Sequence, residues 1–291
     1  MPDLQKPVIQ AFFDEPTNTV SYLVADPMTR EAVIIDPVLD FEPRSGKADI
    51  VSADTILAAA RAGDFKIRWI LETHAHADHL SAAPHLKEVT SATVAIGEHI
   101  RDVQTIFASV FNAGDVSKTG AEFGHLFKAG ERFAIGELAC EVLHTPGHTP
   151  ACVSYKIGDA IFVGDTLFMP DYGTARADFP GGDARTLYRS IRKLLSHPPE
   201  TRLFMCHDYK APGRDVYAWE TTVAEQRASN IHVHDGVSED AFVKMRETRD
   251  AGLAAPLLLL PSIQVNIRAG GLPPAEANGV HYLKLPVTFK R

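Results

Sequence analysis

The sequence predicts a layered α/β fold, and three observations carry that expectation. Short β-rich runs alternate with helix-patterned segments between residues 19 and 96, the rhythm that stacks helices on a sheet. Histidines and aspartates gather directly after apolar runs at four separate places, as they do where strands deliver loops to one edge of a sheet. The chain is also large and apolar enough, at 291 residues and 45% hydrophobic content, to bury a substantial core. A net charge of -8 argues against a general nucleic-acid or anionic-membrane surface, so neither partner is expected. The start of the chain, Met1-Pro2-Asp3-Leu4-Gln5-Lys6-Pro7, lacks a basic region followed by an apolar stretch, and no apolar run approaches spanning length. A cytoplasmic location is expected. Cys140, Cys152 and Cys206 are odd in number and widely spaced, which fits reduced thiols.

Thr19–Ala25 and Glu31–Ile35 read as two strands joined by a turn over Asp26-Pro27-Met28-Thr29-Arg30, and Asp36-Pro37 ends the second. Residues 41–47 read as a loop, after which Ser52 or Asp54 can cap a helix that turns Ile56, Leu57 and Ala60 to one side. Ile67, Trp69, Ile70 and Leu71 form a buried strand, residues 80–89 a helix and residues 93–96 another strand. Ile100, Val103, Ile106, Phe107 and Val110 fit a helix. Residues 112–130 are Gly-rich and aperiodic, so residues 98–130 read as an excursion beside the site, with Phe111, Phe123 and Phe127 packing. Strands follow at residues 138–143, 152–157 and 160–163, the last two as a hairpin about Gly158-Asp159. Residues 183–195 form a helix with Leu187, Ile191 and Leu194 inward, and residues 203–205 a strand. Residues 216–227 and 238–250 read as two amphipathic helices. In the Pro-rich tail that follows, residues 257–260 are too few to cross a bilayer and pack on the body of the protein or on a second subunit, so a homodimer is expected.

The densest cluster is Thr73-His74-Ala75-His76-Ala77-Asp78-His79, at a strand-to-helix turn. At period two His74 and His76 face one way, while Asp78 and His79 open the helix and aim elsewhere, which makes two groups able to serve two adjacent metals. Neutral imidazole suits zinc or iron, and a carboxylate adds the hard oxygen that ferrous iron accepts. The second cluster, His144-Thr145-Pro146-Gly147-His148, puts Pro and Gly in a sharp turn, and either histidine can ligate. Gly164-Asp165-Thr166 supplies a carboxylate able to bind one metal or bridge two, although an isolated Asp there caps a helix or forms a turn. Cys206-His207-Asp208-Tyr209 leaves the fourth strand.

This order of His-x-His-x-Asp-His, Pro-Gly-His, Gly-Asp and Cys-His-Asp-Tyr resembles the metallo-β-lactamase superfamily, which implies an αββα sandwich with its metal site along one sheet edge. A closer resemblance, to the persulfide (sulfur) dioxygenases related to glyoxalase II, rests on residues 31–38, 73–79, 173–179, 186–188 and 265–268. It implies a catalytic domain over residues 1–235 and a C-terminal helical extension over 236–291 packed on it. It also implies one ferrous iron held by His74, His148 and Asp165, with glutathione persulfide and dioxygen as reactants, and sulfite and thiol as products. The resemblance selects His148 over His144. His76, Asp78, His79 and His207 would then orient ligands, hold water or shuttle protons, or else hold a second metal. Asp78, His79, His207 and Tyr209 are the catalytic candidates. Arg176 and Arg268 are expected to bind the carboxylates of glutathione, Tyr209 its thiol or peptide, and Asp178 to orient Arg176. The segment Gly173-Thr174-Ala175-Arg176-Ala177-Asp178-Phe179 departs from the family pattern Gly-Cys-Gly-Arg-Thr-Asp-Phe, so another low-molecular-weight persulfide also fits. The competing expectation is a thioester hydrolase of the glyoxalase II kind, with one or two zinc ions and Asp165 as the bridging carboxylate.

Overall fold

The computed structural model describes residues 6–289; the reading of residues 1–5 as free of a leader, and the end of the tail at residues 290–291, lie outside them. In chain order the first half comprises β1 Val8–Asp14, β2 Thr19–Ala25, β3 Glu31–Ile35, β4 Val38–Glu42, β5 Lys47–Asp49, α1 Val51–Ala62, β6 Lys66–Leu71, β7 Leu80–Ser81, α2 Ala83–Thr90, β8 Thr93–Gly97, α3 Ile100–Val110 and β9 His125–Phe127. The second half comprises β10 Arg132–Ile135, β11 Leu138–His144, β12 Val153–Ile157, β13 Ala160–Phe162, α4 Ala184–Leu194, β14 Arg202–Phe204, β15 Glu220–Thr222, α5 Val223–Ser229, α6 Glu239–Asp250 and α7 Leu259–Asn266.

Two six-stranded sheets form, ordered β1-β2-β3-β6-β8-β9 and β10-β11-β12-β13-β14-β15, with a small sheet β5-β4-β7 beside the first. Both are mixed: β3, β6, β8 and β9 run parallel, as do β13 and β14, and the remaining pairs are antiparallel. Strand alternation builds the layers. In β2, Tyr22 and Val24 face the second sheet while Leu23 and Ala25 face α1, α2, α3 and α7. Between the sheets Tyr22, Phe127, Tyr155, Phe162 and Phe204 pack; on the far face Leu187, Ile191 and Leu194 of α4 meet Phe242 of α6 across Ile161, Val163 and Leu203. This is the αββα sandwich of the metallo-β-lactamase fold. No helix of the described residues is long and apolar enough to cross a membrane.

Several local expectations need correction. β1, a segment with no element expected from the sequence, pairs along all of β2 as an edge strand. Residues 41–47 are a loop only over 43–46, the turn of the β4–β5 hairpin; Phe41, Glu42 and Lys47 lie in its strands. α1 has Ile50 at its N-cap without a side-chain cap, because Asp40 holds both the amide and the hydroxyl of Ser52 at 2.9 and 2.6 Å. Leu80 and Ser81 pair with β4, so α2 starts only at Ala83, with Pro84 in its first turn. Residues 216–227 are not one helix: Glu220–Thr222 pairs with β14, and Thr222 opens α5 through a capping box with Glu225. The segment 98–130 is no excursion beside the site. α3 packs on the outer core and β9 extends the first sheet, with Phe111, Phe123 and Phe127 buried.

Candidate metal centre

Strand ends bring the four clusters together. β6 leads into residues 73–79, while β11, β13 and β14 lead into His148, Asp165 and His207, and the two sheets meet here through Val153 N–H donating to Thr73 O at 2.9 Å. The 73–79 loop is held from two sides. Asp36, whose φ of 49° is left-handed, accepts from Thr73 N at 2.7 Å and Thr73 Oγ1 at 2.8 Å, and lies 2.9 Å from His76 Nε2. Asn266 of α7 donates to the carbonyls of His76 and His79 at 2.9 and 2.8 Å and accepts from Ser81 N at 2.9 Å. Gly147 lies at φ +137°, and a Cβ there would fall 2.3 Å from the Leu187 backbone, so the turn before His148 seats directly on α4.

Among the described residues the donors make two main groups; Asp165, Cys206 and His207 overlap both, and Asp36 and Glu72 gather behind His76. His74, His148 and Asp165 each offer an atom within 4.8 Å of the others, and so do His76, Asp78, His79 and His207. His76 therefore joins Asp78 and His79 in the second group, although its ring also lies 4.0 Å from that of His74. In the first group, His74 Nδ1 lies 3.1 Å from Thr73 Oγ1 and His148 Nδ1 donates to Arg176 O at 2.8 Å, which leaves each Nε2 for another ligand. In the second, His207 Nδ1 lies 3.2 Å from Asn18 O and its Nε2 lies 3.0 Å from Asp78 Oδ2. His74 Nε2, His76 Nδ1, His79 Nε2, His207 Nε2 and Asp165 Oδ1 are buried without a hydrogen-bond partner. Buried polar atoms are rarely left so, and here they converge. A divalent cation with nitrogen and oxygen ligands satisfies them, and the donor set accommodates one such ion or two.

Electrostatics follow the same division. Burial, then the neighbouring His76, push the His74 imidazole well below its ordinary range, so it is a neutral ligand. Burial opposes ionisation of Asp78 and Asp165, yet His207 beside both holds them low. Behind the loop, burial pushes Glu72 up to about 8, while Asp36 and Glu72 raise His76 to about 9 against its own burial. Glu72 also accepts from the Ser81 hydroxyl.

A cavity of about 650 Å³ opens onto the first group; its wall includes Asp78, His148, Asp165, Phe168, Tyr172 and Tyr209. Tyr209, in this wall, stacks on Tyr172 at 5.0 Å. Arg176 also lines the cavity, and Asp178 orients it as expected, through contacts of 2.6 and 2.7 Å. Arg268 does not reach it. Its guanidinium pairs with Asp115 at 2.7 and 2.9 Å beside a separate small cavity, so its expected role in substrate binding is corrected. In residues 265–268 the side chain that serves the site is Asn266. His144 stacks on His99 at 4.5 Å and lies outside both groups. Asp36, Glu72, Arg246 and Arg249 escaped the sequence reading; only Asp36, stopped before Pro37 at a strand end, carried a signal.

Residues 14–207 match the model of the Metallo-beta-lactamase superfamily. A probable metallo-hydrolase of Burkholderia pseudomallei is 52% identical over 290 residues, covering 96% of this chain and 98% of that protein. The human mitochondrial persulfide dioxygenase ETHE1 is 27% identical over 266 residues, covering 90% and 89%. The crystal structure of ETHE1 from Myxococcus xanthus superposes with a TM-score of 0.72 at 31% identity, over 91% of this chain and all of that one (100%). Three further bacterial relatives are longer, and the chain spans 65% of their length.

Proposed function

This chain belongs to the metallo-β-lactamase superfamily, and we propose that it is a non-haem iron persulfide dioxygenase acting on glutathione persulfide or a similar low-molecular-weight persulfide. The observation that carries this reading is the group His74, His148 and Asp165, two histidines and one carboxylate, of which His148 and Asp165 open into the cavity. These residues would hold the metal, and ferrous iron bound there supplies the activation of dioxygen. The overall reaction is RSSH + O2 + H2O → RSH + SO3²⁻ + 2H⁺. The name and the 27% identity of the human relative support the reading.

The chain's own groups account for the rest. Phe168 and Phe179 in the wall limit water around the reacting sulfur. Burial pushes the Tyr209 phenol up, so at neutral pH it is a hydrogen-bond donor facing the cavity. Asp78 Oδ2 and His207 Nε2 lie 3.0 Å apart, near enough for a protonated His207 to supply the proton that the departing thiolate takes up.

A second reading, a dinuclear zinc thioester hydrolase, has its own observation. His79 Nε2 and His207 Nε2 are orphaned in the second group, and Asp165 lies close enough to His207, at 3.3 Å, to bridge. The name of the Burkholderia relative accords with it. One experiment separates the two. Anaerobically iron-loaded protein is given glutathione persulfide, and oxygen uptake, sulfite and metal content are measured on one sample. One iron per chain with stoichiometric uptake and sulfite supports the dioxygenase. Two zincs per chain, no uptake and cleavage of a glutathione thioester would make it the hydrolase.

A further inference from the structure

Four arginines line the cavity: Arg44, Arg176, Arg246 and Arg249. Two are already engaged by the protein. Arg176 gives Nε and Nη2 to Asp178 and Nη1 to Ala254 O at 2.7 Å, and its guanidinium lies 5.3 Å from the centre of the Phe179 ring. All three nitrogens have partners, so this side chain ties residues 176–179 to the segment after α6. Arg246 is buried, with Nε and Nη2 on Asp250 at 2.9 and 2.6 Å and Nη1 on Thr174 O at 3.1 Å. It holds Thr174, the residue that stands where the family pattern has a thiol.

Arg249, in the last turn of α6, and Arg44, in the β4–β5 turn, are different. Both are exposed, and neither guanidinium has an acidic partner or a hydrogen bond among the described residues. The acidic residues on the same wall are Glu42, Asp78 and Asp165. Asp78 and Asp165 belong to the metal-binding groups, and Glu42 accepts from the backbone N–H of Arg44 at 2.8 Å. Arg249 shares the cavity wall with Tyr172, which stacks on Tyr209, whose ring lies 5.8 Å from that of His207. A path thus runs from an unpaired cation along two phenol rings to the metal-binding residues. Leu253 and Leu257, 47% and 85% exposed, line the cavity too, an apolar surface for the methylenes of a bound chain.

We propose that Arg249, assisted by Arg44, binds a carboxylate remote from the reacting sulfur, so that the enzyme selects anionic low-molecular-weight persulfides over neutral ones. The inference rests on the persulfide reading above and names its specificity-determining residue. An Arg–carboxylate contact is directional and bidentate, which an ammonium reproduces only in part.

The test uses the full chain and two kinds of readout. Binding of reduced glutathione and of its diethyl ester, in which both carboxylates are masked and only the ammonium is charged, is measured by titration calorimetry, and KM and kcat for the matching persulfides are measured on iron-loaded protein. Wild type should prefer the diacid. In Arg249→Ala the affinity for glutathione should fall about 10- to 100-fold, the worth of one charge-assisted contact, with KM rising in step and kcat nearly unchanged. The diester should bind both proteins alike; Arg249→Lys should fall between them, and Arg44→Ala should show a smaller loss. Equal affinity of wild type for diacid and diester, or unchanged glutathione binding in Arg249→Ala, overturns the proposal. Arg249-dependent binding without oxygen uptake would uphold the anion subsite while rejecting the dioxygenase reaction.

Discussion

The two donor groups share a loop and a set of residue types, yet the fold treats them differently. His148 and Asp165 of the first group line the cavity, and the two imidazoles of that group are oriented by neutral acceptors, a threonine hydroxyl and a backbone carbonyl. The second group is sealed apart from Asp78: His76, His79 and His207 are all 0% exposed, and carboxylates already stand beside them. The first group opens to the cavity, while the second is enclosed, its orphaned ring nitrogens fitting a second metal and its carboxylate contacts fitting a proton-holding pair. Identical residue types therefore do not imply equal roles; the outer partners decide.

The sharpest way to break this comparison is to remove one histidine from each group. His148→Ala should lose iron and lower oxygen uptake at least ~1000-fold, since a two-ligand remnant holds iron poorly. His79→Ala should keep iron near one per chain and lose about 10- to 100-fold in kcat, the range of a proton-transfer or water-positioning group. Metal content and turnover on the same preparations check both. If His79→Ala sheds as much metal as His148→Ala, the groups are equivalent and the dinuclear reading gains.

Asn266→Ala acts on the loop common to both groups. It removes the donors to the His76 and His79 carbonyls and the acceptor for Ser81 N, all buried. Leaving those groups unpaired should cost about 2–4 kcal/mol, read as a lower urea midpoint at unchanged slope. Iron affinity should fall with it. Retained stability with lost activity would instead make Asn266 a part of the chemistry.

How legible the site is in the sequence depends on how each function is written. Metal donors need particular side chains at strand exits, so His74, Asp165 and His207 stand out with no fold in hand, whereas His148 is separated from His144 only by the family resemblance. Helices α4 and α6 are equally plain, because Asp183 and Ser238 cap amphipathic runs. Partnership is legible only at short range. Arg176 and Arg268 look like anion binders; Asp178, two residues from Arg176, is expected to orient it and does, whereas only the fold reveals that Asp115 occupies Arg268 from a position 153 residues away. Nor is β15 legible, because its Glu-Thr-Thr stretch becomes a strand only when β14 lies alongside it.

The smallest effect concerns the support of the first group in acid. His148 leans on Arg176 O, and the preceding residues are anchored where Thr174 N–H donates to His232 Nδ1 at 3.1 Å, a bond that needs a neutral ring. Burial, followed by the charges of Arg246 and Arg249, lowers His232 to about 4 from its ordinary 6.5. The unfolded chain therefore binds a proton below about pH 6.5 that the folded chain refuses until about pH 4, so stability is full above the upper value and declines as pH falls through this window. At pH 5 the loss from this residue alone should be about 2 kcal/mol at most. His232→Gln keeps an acceptor for Thr174 and does not titrate. Urea midpoints at pH 7.5 and 5 should therefore converge more closely in the variant than in wild type. An equal drop in both proteins would separate His232 from the acid sensitivity, and the first group's support would then be no more pH-dependent than the second's.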